Sequence, residues 1–300
     1  MERFIDLHMH SYYSDDGEFL PKELIDKCFD NGIKVMAIAD HNCIRANAEG
    51  KKYAEERGIK YIPAIEIDCV FEGVNLHVLG YGIDYESEDF KNIENNIEKQ
   101  SLSASKQMLL ATQKLGFSVT DKDMEELEKD NYWKGRWTGE MFAEVLLNKS
   151  EYSNHPLLEP YRAGNSRGDN PYVNFYWDFY SQGKPCYTKI NYPSLEEIIR
   201  IIHRNKGKAI LAHPGVNLKN RPELLFSIIK LGIDGIEAFS SYHSDEDIYH
   251  FYEEAKKNNL ITTCGSDYHG KTKPAISVGG TKCTEDEKVI EEMLKKAELI

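Results

Sequence analysis

Phe4-Ile5-Asp6-Leu7-His8-Met9-His10 is an apolar run that ends in two histidines one residue apart. Such a run, bounded by polar residues, reads as a buried β-strand. Alternate side chains of a strand share a face, so His8 and His10 point the same way. The pattern returns downstream. Val35-Met36-Ala37-Ile38-Ala39 ends in Asp40-His41, and Ala209-Ile210-Leu211-Ala212 ends in His213. Leu260-Ile261-Thr262-Thr263-Cys264-Gly265 runs into Asp267 and His269. Glu66 lies within the strand-like run 61–67 and His77 within the run 74–79. Six of the ten histidines belong to this set. Imidazoles and carboxylates that recur where strands end converge on one face of a β/α barrel, the face where active sites are built.

The rest of the chain fits that frame. Pro21 opens a helix whose Leu24, Ile25, Cys28 and Phe29 share a face, and Gly32 ends it. A second helix runs through Ala46, Ala48 and Tyr53-Ala54 to Gly58. Strand and helix stop alternating near Asp84. From there to residue 188 the pattern is helical and irregular, beginning with a long helix through Ile93, Ile97 and Leu102 to Leu115-Gly116. Alternation resumes at Tyr187, with strands at 208–212, 233–238 and 260–265 and helices at 221–231, 245–258 and 284–298. Repeated βα units imply parallel strands with crossover helices. We therefore expect an α/β fold: an irregular or seven-stranded barrel built from residues 1–83 and 189–300, with an inserted, mainly helical lid over 84–188.

Composition narrows the function. The formal net charge is −13, and the stretch 84–188 alone carries eighteen Asp/Glu against twelve Lys/Arg. That disfavours long nucleic acid, whose binders present a basic face. No apolar run is long enough to span a bilayer, and the first strand begins too early for a signal peptide, so a cytoplasmic location is expected. The six scattered cysteines have no metal or redox spacing and read as buried thiols. Nothing bears on the oligomeric state.

Nine side chains are candidate metal ligands: His8, His10, Asp15, His41, Glu66, His77, His213, Asp267 and His269. A tetrahedral ion needs about four ligands. Two or three divalent ions with a bridging carboxylate account for nine. Histidine and carboxylate donors suit Mn²⁺, Fe²⁺ and Zn²⁺, with Mn²⁺ expected first. Asp15 sits in a turn where Asp16 competes for its role. Asp40 is expected to orient a ligand histidine from behind, as outer carboxylates commonly do.

The motifs Asp6-Leu7-His8-Met9-His10-Ser11, Ala39-Asp40-His41-Asn42, Pro63-Ala64-Ile65-Glu66-Ile67, His77-Val78-Leu79-Gly80-Tyr81, Ala212-His213-Pro214-Gly215 and Gly265-Ser266-Asp267-Tyr268-His269 resemble those of the polymerase and histidinol phosphatase (PHP) superfamily of metal-dependent phosphoesterases. The resemblance implies a distorted (β/α)7 barrel and a trinuclear site. One ion would lie near His8, His10, Glu66 and Asp267, a second at Glu66, His77 and His213, and a third at Asp15, His41 and His269. The middle block, with Gly135-Arg136 before a helix and the aromatic run 175–180, is similar to the insert of a subgroup containing 3′,5′-nucleotide bisphosphate phosphatases and a 5′-to-3′ exoribonuclease. That implies a phosphate contact for Arg136. Where the subgroup often carries a further arginine this chain has Val216, and Lys219 or Arg221 is the expected substitute. His243 matches the subgroup, with three roles open: donating to phosphate, assisting the leaving oxygen, or capping its turn.

The expected function is phosphomonoester hydrolysis of a small phosphorylated substrate, a 3′,5′-nucleotide bisphosphate first, by metal-activated hydroxide. A 5′-3′ exonuclease on short oligonucleotides, a histidinol-phosphate phosphatase and a non-catalytic metal-stabilised binding module are the alternatives.

Overall fold

The computed structural model describes residues 3–300. Its elements run β1 (Ile5–Asp6), α1 (Pro21–Asp30), β2 (Val35–Met36), α2 (Ala46–Glu56), β3 (Lys60–Tyr61), β4 (Ala64–Phe71), β5 (Val74–Tyr81), α3 (Glu88–Lys114), α4 (Asp121–Leu127), α5 (Gly139–Asn148), α6 (Pro171–Phe179), α7 (Leu195–Arg204), β6 (Lys208–Leu211), α8 (Pro214–Asn217), α9 (Leu224–Lys230), β7 (Gly235–Ser240), α10 (Asp245–Lys257), β8 (Ile261–Gly265) and α11 (Glu287–Lys296).

The strands form two sheets, in the orders β1-β2-β3 and β4-β5-β6-β7-β8. Eight strands are described, and the antiparallel pairing of β4 with β5 and of β5 with β6 corrects the expectation of parallel strands throughout. Pro63 divides the predicted strand 61–67. Ile62 still donates its N–H to Met36 of the first sheet at 2.9 Å, whereas the Pro63 carbonyl accepts from Gly82 in the second at 2.8 Å. Proline has no N–H to continue a ladder, so the chain changes sheets there. β4 and β5 then pair antiparallel through a hairpin. Its turn residues Glu72 and Gly73 both have positive φ, 45° and 80°, the backbone twist that matches two-residue hairpin loops. β5 also pairs antiparallel with β6, while β6-β7-β8 and the first sheet are parallel.

Bridges join the two sheets. Leu7 donates to the Cys264 carbonyl at 3.0 Å, and Met9 bridges Tyr268 beyond it. At the other margin His41 bridges Glu66, with Asn42 donating to the Glu66 carbonyl at 2.7 Å. The chain beyond β1 thus meets the chain beyond β8, and the chain beyond β2 meets β4 at Glu66.

Three apolar clusters hold these layers. The largest joins β4–β8 to α7, α9, α10 and α11. A second packs Leu24, Ile25 and Cys28 of α1 and Ala46 and Ala54 of α2 against Met36 and Ile38. The third lies within 109–186, where no strand is found among the described residues, and centres on Phe142, Leu146, Phe175 and Tyr180. The long α3 takes part in two of them. Its Phe90, Ile93 and Ile97 pack in the first cluster, and Leu109 packs in the third. Phe142 is fully buried in α5. Truncating such a ring removes transfer energy and leaves a cavity. Phe142→Ala should cost about 3–5 kcal/mol in urea unfolding; a loss below about 1 kcal/mol would show that this cluster is not a packed core.

Candidate metal centre

Glu66 projects from the middle of β4 and is fully buried. Five imidazoles surround its carboxylate. Oε2 lies 3.0 Å from His8 Nε2, 3.2 Å from His10 Nε2 and 3.3 Å from His41 Nδ1. Oε1 lies 3.0 Å from both His77 Nδ1 and His213 Nε2. Asp267, held at φ +56° just past β8, sets Oδ1 3.1 Å from His10 Nε2 and 3.5 Å from His269 Nδ1. Three overlapping sets result: His8, His10, Glu66 and Asp267; His10, Asp16, His41 and His269; and His41, Glu66 and His77.

The donor set fits divalent ions. His10 Nε2, His41 Nδ1, His269 Nε2 and Asp267 Oδ1 are buried without a hydrogen-bond partner, although each lies close to another atom of the cluster. Unsatisfied buried polar atoms are costly. A cation among them satisfies several lone pairs at once. The electrostatics point the same way. Burial opposes a charge on His8, yet Glu66, Glu237 and Asp267 raise its pKa well above the usual value. Burial likewise opposes His77, but Glu66 and Asp68 push it up to about 10. Burial together with His269 and His41 holds His10 down at about 4. The carboxylates demand positive charge, and the crowded rings cannot all carry it as protons.

Other side chains aim these rings. Glu237 accepts from His8 Nδ1 at 2.9 Å and from the His213 backbone N–H at 2.9 Å. Asn217 Oδ1 lies 2.6 Å from His213 Nδ1. Fixing the second nitrogen of an imidazole sets the orientation of the first. Gly265 leaves room for this packing: a Cβ there would stand 2.2 Å from His8 Cβ and 2.4 Å from Glu237 Oε1.

A model of the PHP domain matches residues 6–221. The chain belongs to the PHP domain family. Its PHP fold is similar to a structure from Bifidobacterium adolescentis assigned as a metal-dependent phosphoesterase, 25% identical with a TM-score of 0.78 over 99% of this chain and 97% of the other. Among curated relatives, a 3′,5′-nucleoside bisphosphate phosphatase of Chromobacterium violaceum is 27% identical, covering 93% of this chain and 91% of its own length. A 5′-3′ exoribonuclease of Haemophilus influenzae is 26% identical, with 90% and 91% covered.

The PHP chain gathers eight of the nine expected ligands around one centre, and the ninth differs. Asp16, not Asp15, faces the histidines, with Oδ2 3.0 Å from His269 Nε2 and 3.8 Å from His41 Nε2. Asp15 turns the other way and pairs with Arg136 Nη2 at 2.8 Å. Asp40 does not touch an imidazole; its two oxygens accept from Ser11 N–H and Ser11 Oγ at 2.6 and 2.7 Å, tying the turn after His10 to the end of β2. His243 has both ring nitrogens occupied by backbone, Nδ1 donating to Ala238 O at 2.8 Å and Nε2 accepting from Gly215 N–H at 3.1 Å. It caps the turn after His213 and is not among the residues lining the cavity. Lys219 is exposed and Arg221 pairs with Glu72 and Glu223, so neither reaches the centre.

Sequence reasoning missed Asp68, Glu237 and Lys273. Asp68 Oδ1 lies 3.1 Å from His77 Nε2, and it stands two residues after Glu66, on the same face of β4. Glu237 carried a readable signal, a carboxylate inside the apolar run Ile236–Phe239. Lys273, beside Lys271 in a polar loop, carried none.

Metal analysis of protein purified without chelator should find two or three divalent ions per chain, and chelation should lower the melting temperature because native-state binding stabilises the fold. Stoichiometry that never exceeds one after reconstitution would refute a multinuclear centre. Asp16→Asn should reduce the metal content, whereas Asp15→Asn should not; the reverse result would overturn the placement of the two aspartates.

Proposed function

We propose that this PHP phosphoesterase hydrolyses a phosphomonoester of a small nucleotide-like substrate, with a 3′,5′-nucleoside bisphosphate as the first candidate. One observation carries the reading: a single cavity joins the histidine–carboxylate cluster to an aromatic recess. Asp16, His41, His77, His213, Asp267 and His269 line one part of it, and Trp137, Tyr176, Trp177, Tyr180, Tyr187 and Tyr192 line another. A phosphate at the cluster and a ring against the aromatic wall describe a nucleotide. Enclosure of the aromatic part by α3, α5, α6 and the segment 187–192 favours a small substrate over a long strand. We take residues 84–188 as a lid subdomain over a barrel of residues 1–83 and 189–300.

The nine ligands in this reading are His8, His10, Asp16, His41, Glu66, His77, His213, Asp267 and His269, and Glu66 is the shared carboxylate. Divalent ions bound there, Mn²⁺ first, supply Lewis-acid polarisation of the phosphoryl oxygens and activation of water. The protein's own groups hold and orient the substrate. Arg136 presents a planar guanidinium suited to bidentate phosphate contact. It is 3% exposed, and its Nε is buried without a partner. Its Cζ lies over Trp133, 4.3 Å from the ring centroid. The loop that carries it is anchored by Glu128, which accepts from Gly135 N–H at 2.7 Å and Trp137 Nε1 at 2.9 Å. Asp15 keeps Arg136 paired until a phosphate competes for it. Glu140, in the first turn of α5, also lines the cavity, and burial and then Asp16 push its carboxyl up to about 8.

A phosphate-release screen with added Mn²⁺ over nucleoside bisphosphates, nucleoside monophosphates and short oligonucleotides tests the reading. Bisphosphates should lead. Preference for oligonucleotides would favour exonuclease chemistry, and no turnover of any ester by metal-loaded protein would sink the enzymatic reading. Arg136→Ala should lower kcat/KM for a bisphosphate by about 30- to 3,000-fold with metal content unchanged, and Arg136→Lys should recover little of it. Wild-type kinetics in both variants would remove Arg136 from substrate binding.

A further inference from the structure

We propose that Lys273 is a second phosphate-binding cation of this centre, working beside Arg136. The proposal rests on the phosphoesterase reading above and names a residue that reading does not use. Among the described residues lining the cavity, Arg136 and Lys273 are the lysines and arginines. The residues expected to supply a second cation, Lys219 and Arg221, stand at the surface. Lys273 stands within: it is 5% exposed, at the end of the single turn Gly270–Thr272 that follows His269. A lysine is almost never buried without a partner. Its partner is Asp267, and the two oxygens of that carboxylate divide the work. Oδ1 faces His8, His10 and His269, whereas Oδ2 receives the Lys273 ammonium. Asp267 therefore holds Nζ against the ligand cluster itself.

An ammonium has three N–H donors. Asp267 Oδ2 takes one, and the ammonium also lies over the Tyr242 ring, 4.8 Å from its centroid. Both Tyr242 and Lys273 line the cavity. A donor remains for a ligand there. Neutralising Asp267 is not reason enough for this lysine, because divalent ions held by the cluster would do so through Asp267 Oδ1. A fixed ammonium beside divalent ions is repelled by them, and that repulsion is offset when a dianionic phosphate arrives between the positive charges. Lysine serves as a compact point charge for phosphate, complementing the planar fork of Arg136.

The test uses metal-loaded full-length protein, inorganic phosphate as the binding probe and an aryl phosphate as the turnover probe. Lys273→Met keeps length and removes charge. It should leave metal content at the wild-type level, weaken phosphate binding in calorimetry by about 10- to 100-fold and raise KM by a similar factor, with a smaller change in kcat. Lys273→Arg should restore most of the phosphate affinity, and Lys273→Gln replaces the methionine variant if that one does not fold. Loss of metal with unchanged phosphate affinity in the protein that remains loaded would reduce Lys273 to a positioning residue for Asp267 and overturn the proposal. So would a neutral variant that matches wild type throughout. Wild-type protein that neither binds phosphate nor turns over any phosphate ester would instead overturn the phosphoesterase reading, a separate outcome.

Discussion

A carboxylate buried in an apolar strand is the constraint around which this molecule is arranged. Glu66 is removed from water in β4, between Ile65 and Ile67. An isolated charge there is untenable without compensation. The fold compensates by bringing His8, His10, His41, His77 and His213 to it from β1, β2, β5 and β6 or the turns that follow them. His8, His10 and His213 are buried in turn and His41 and His77 are half-buried, and their partners include Asp267, Asp68, Glu237 and Asn217. The sheet bridges at Met9–Tyr268 and His41–Glu66 belong to the same arrangement, because they hold the strand ends within reach of one carboxylate.

This dense network also constrains the residues packed around it. Gly265 has no room for a side chain between His8 and Glu237. Asp40 and Ser11 fix the turn after His10 without touching a ring. His243 fills both of its hydrogen bonds with backbone and so shapes the Pro214-Gly215 turn rather than the chemistry. The aromatic side of the cavity carries no comparable web of buried charge. Its residues come from the helical segment and the return to α7, and their shape and polarity decide what sits beside the phosphate.

Much of the centre was legible in the sequence because ligands at strand ends leave a periodic signature: an apolar run, then histidine or aspartate. Glu66 and His77 stood out because a polar group inside an apolar run has to be satisfied by something. The choice between Asp15 and Asp16 was not legible. Adjacent residues in a turn point in different directions, and which one faces inward depends on backbone angles that no spacing rule supplies. The antiparallel β4–β5 hairpin escaped because Glu72-Gly73 is a weak turn signal beside Asn-Gly or Asp-Gly. Pro63 was legible as a strand breaker but was absorbed into a continuous run. Lys273 escaped for a different reason: a lysine in a polar loop reads as solvated, and only its tertiary neighbour Asp267 shows otherwise.

The continuity of α3 has a mechanical consequence. Its 27 residues span about 40 Å without a break, with one end locked among the strands and the other inside the aromatic cluster. A helix of that length resists bending because each turn is tied by its own hydrogen bonds. The outgoing connection is thus a strut, whereas the returning one, from Tyr187 to Pro193, has no regular structure. Asn191 donates its N–H to Gln100 Oε1 at 2.8 Å, so the strut also sets where Tyr187, Ile190 and Tyr192 stand in the cavity wall.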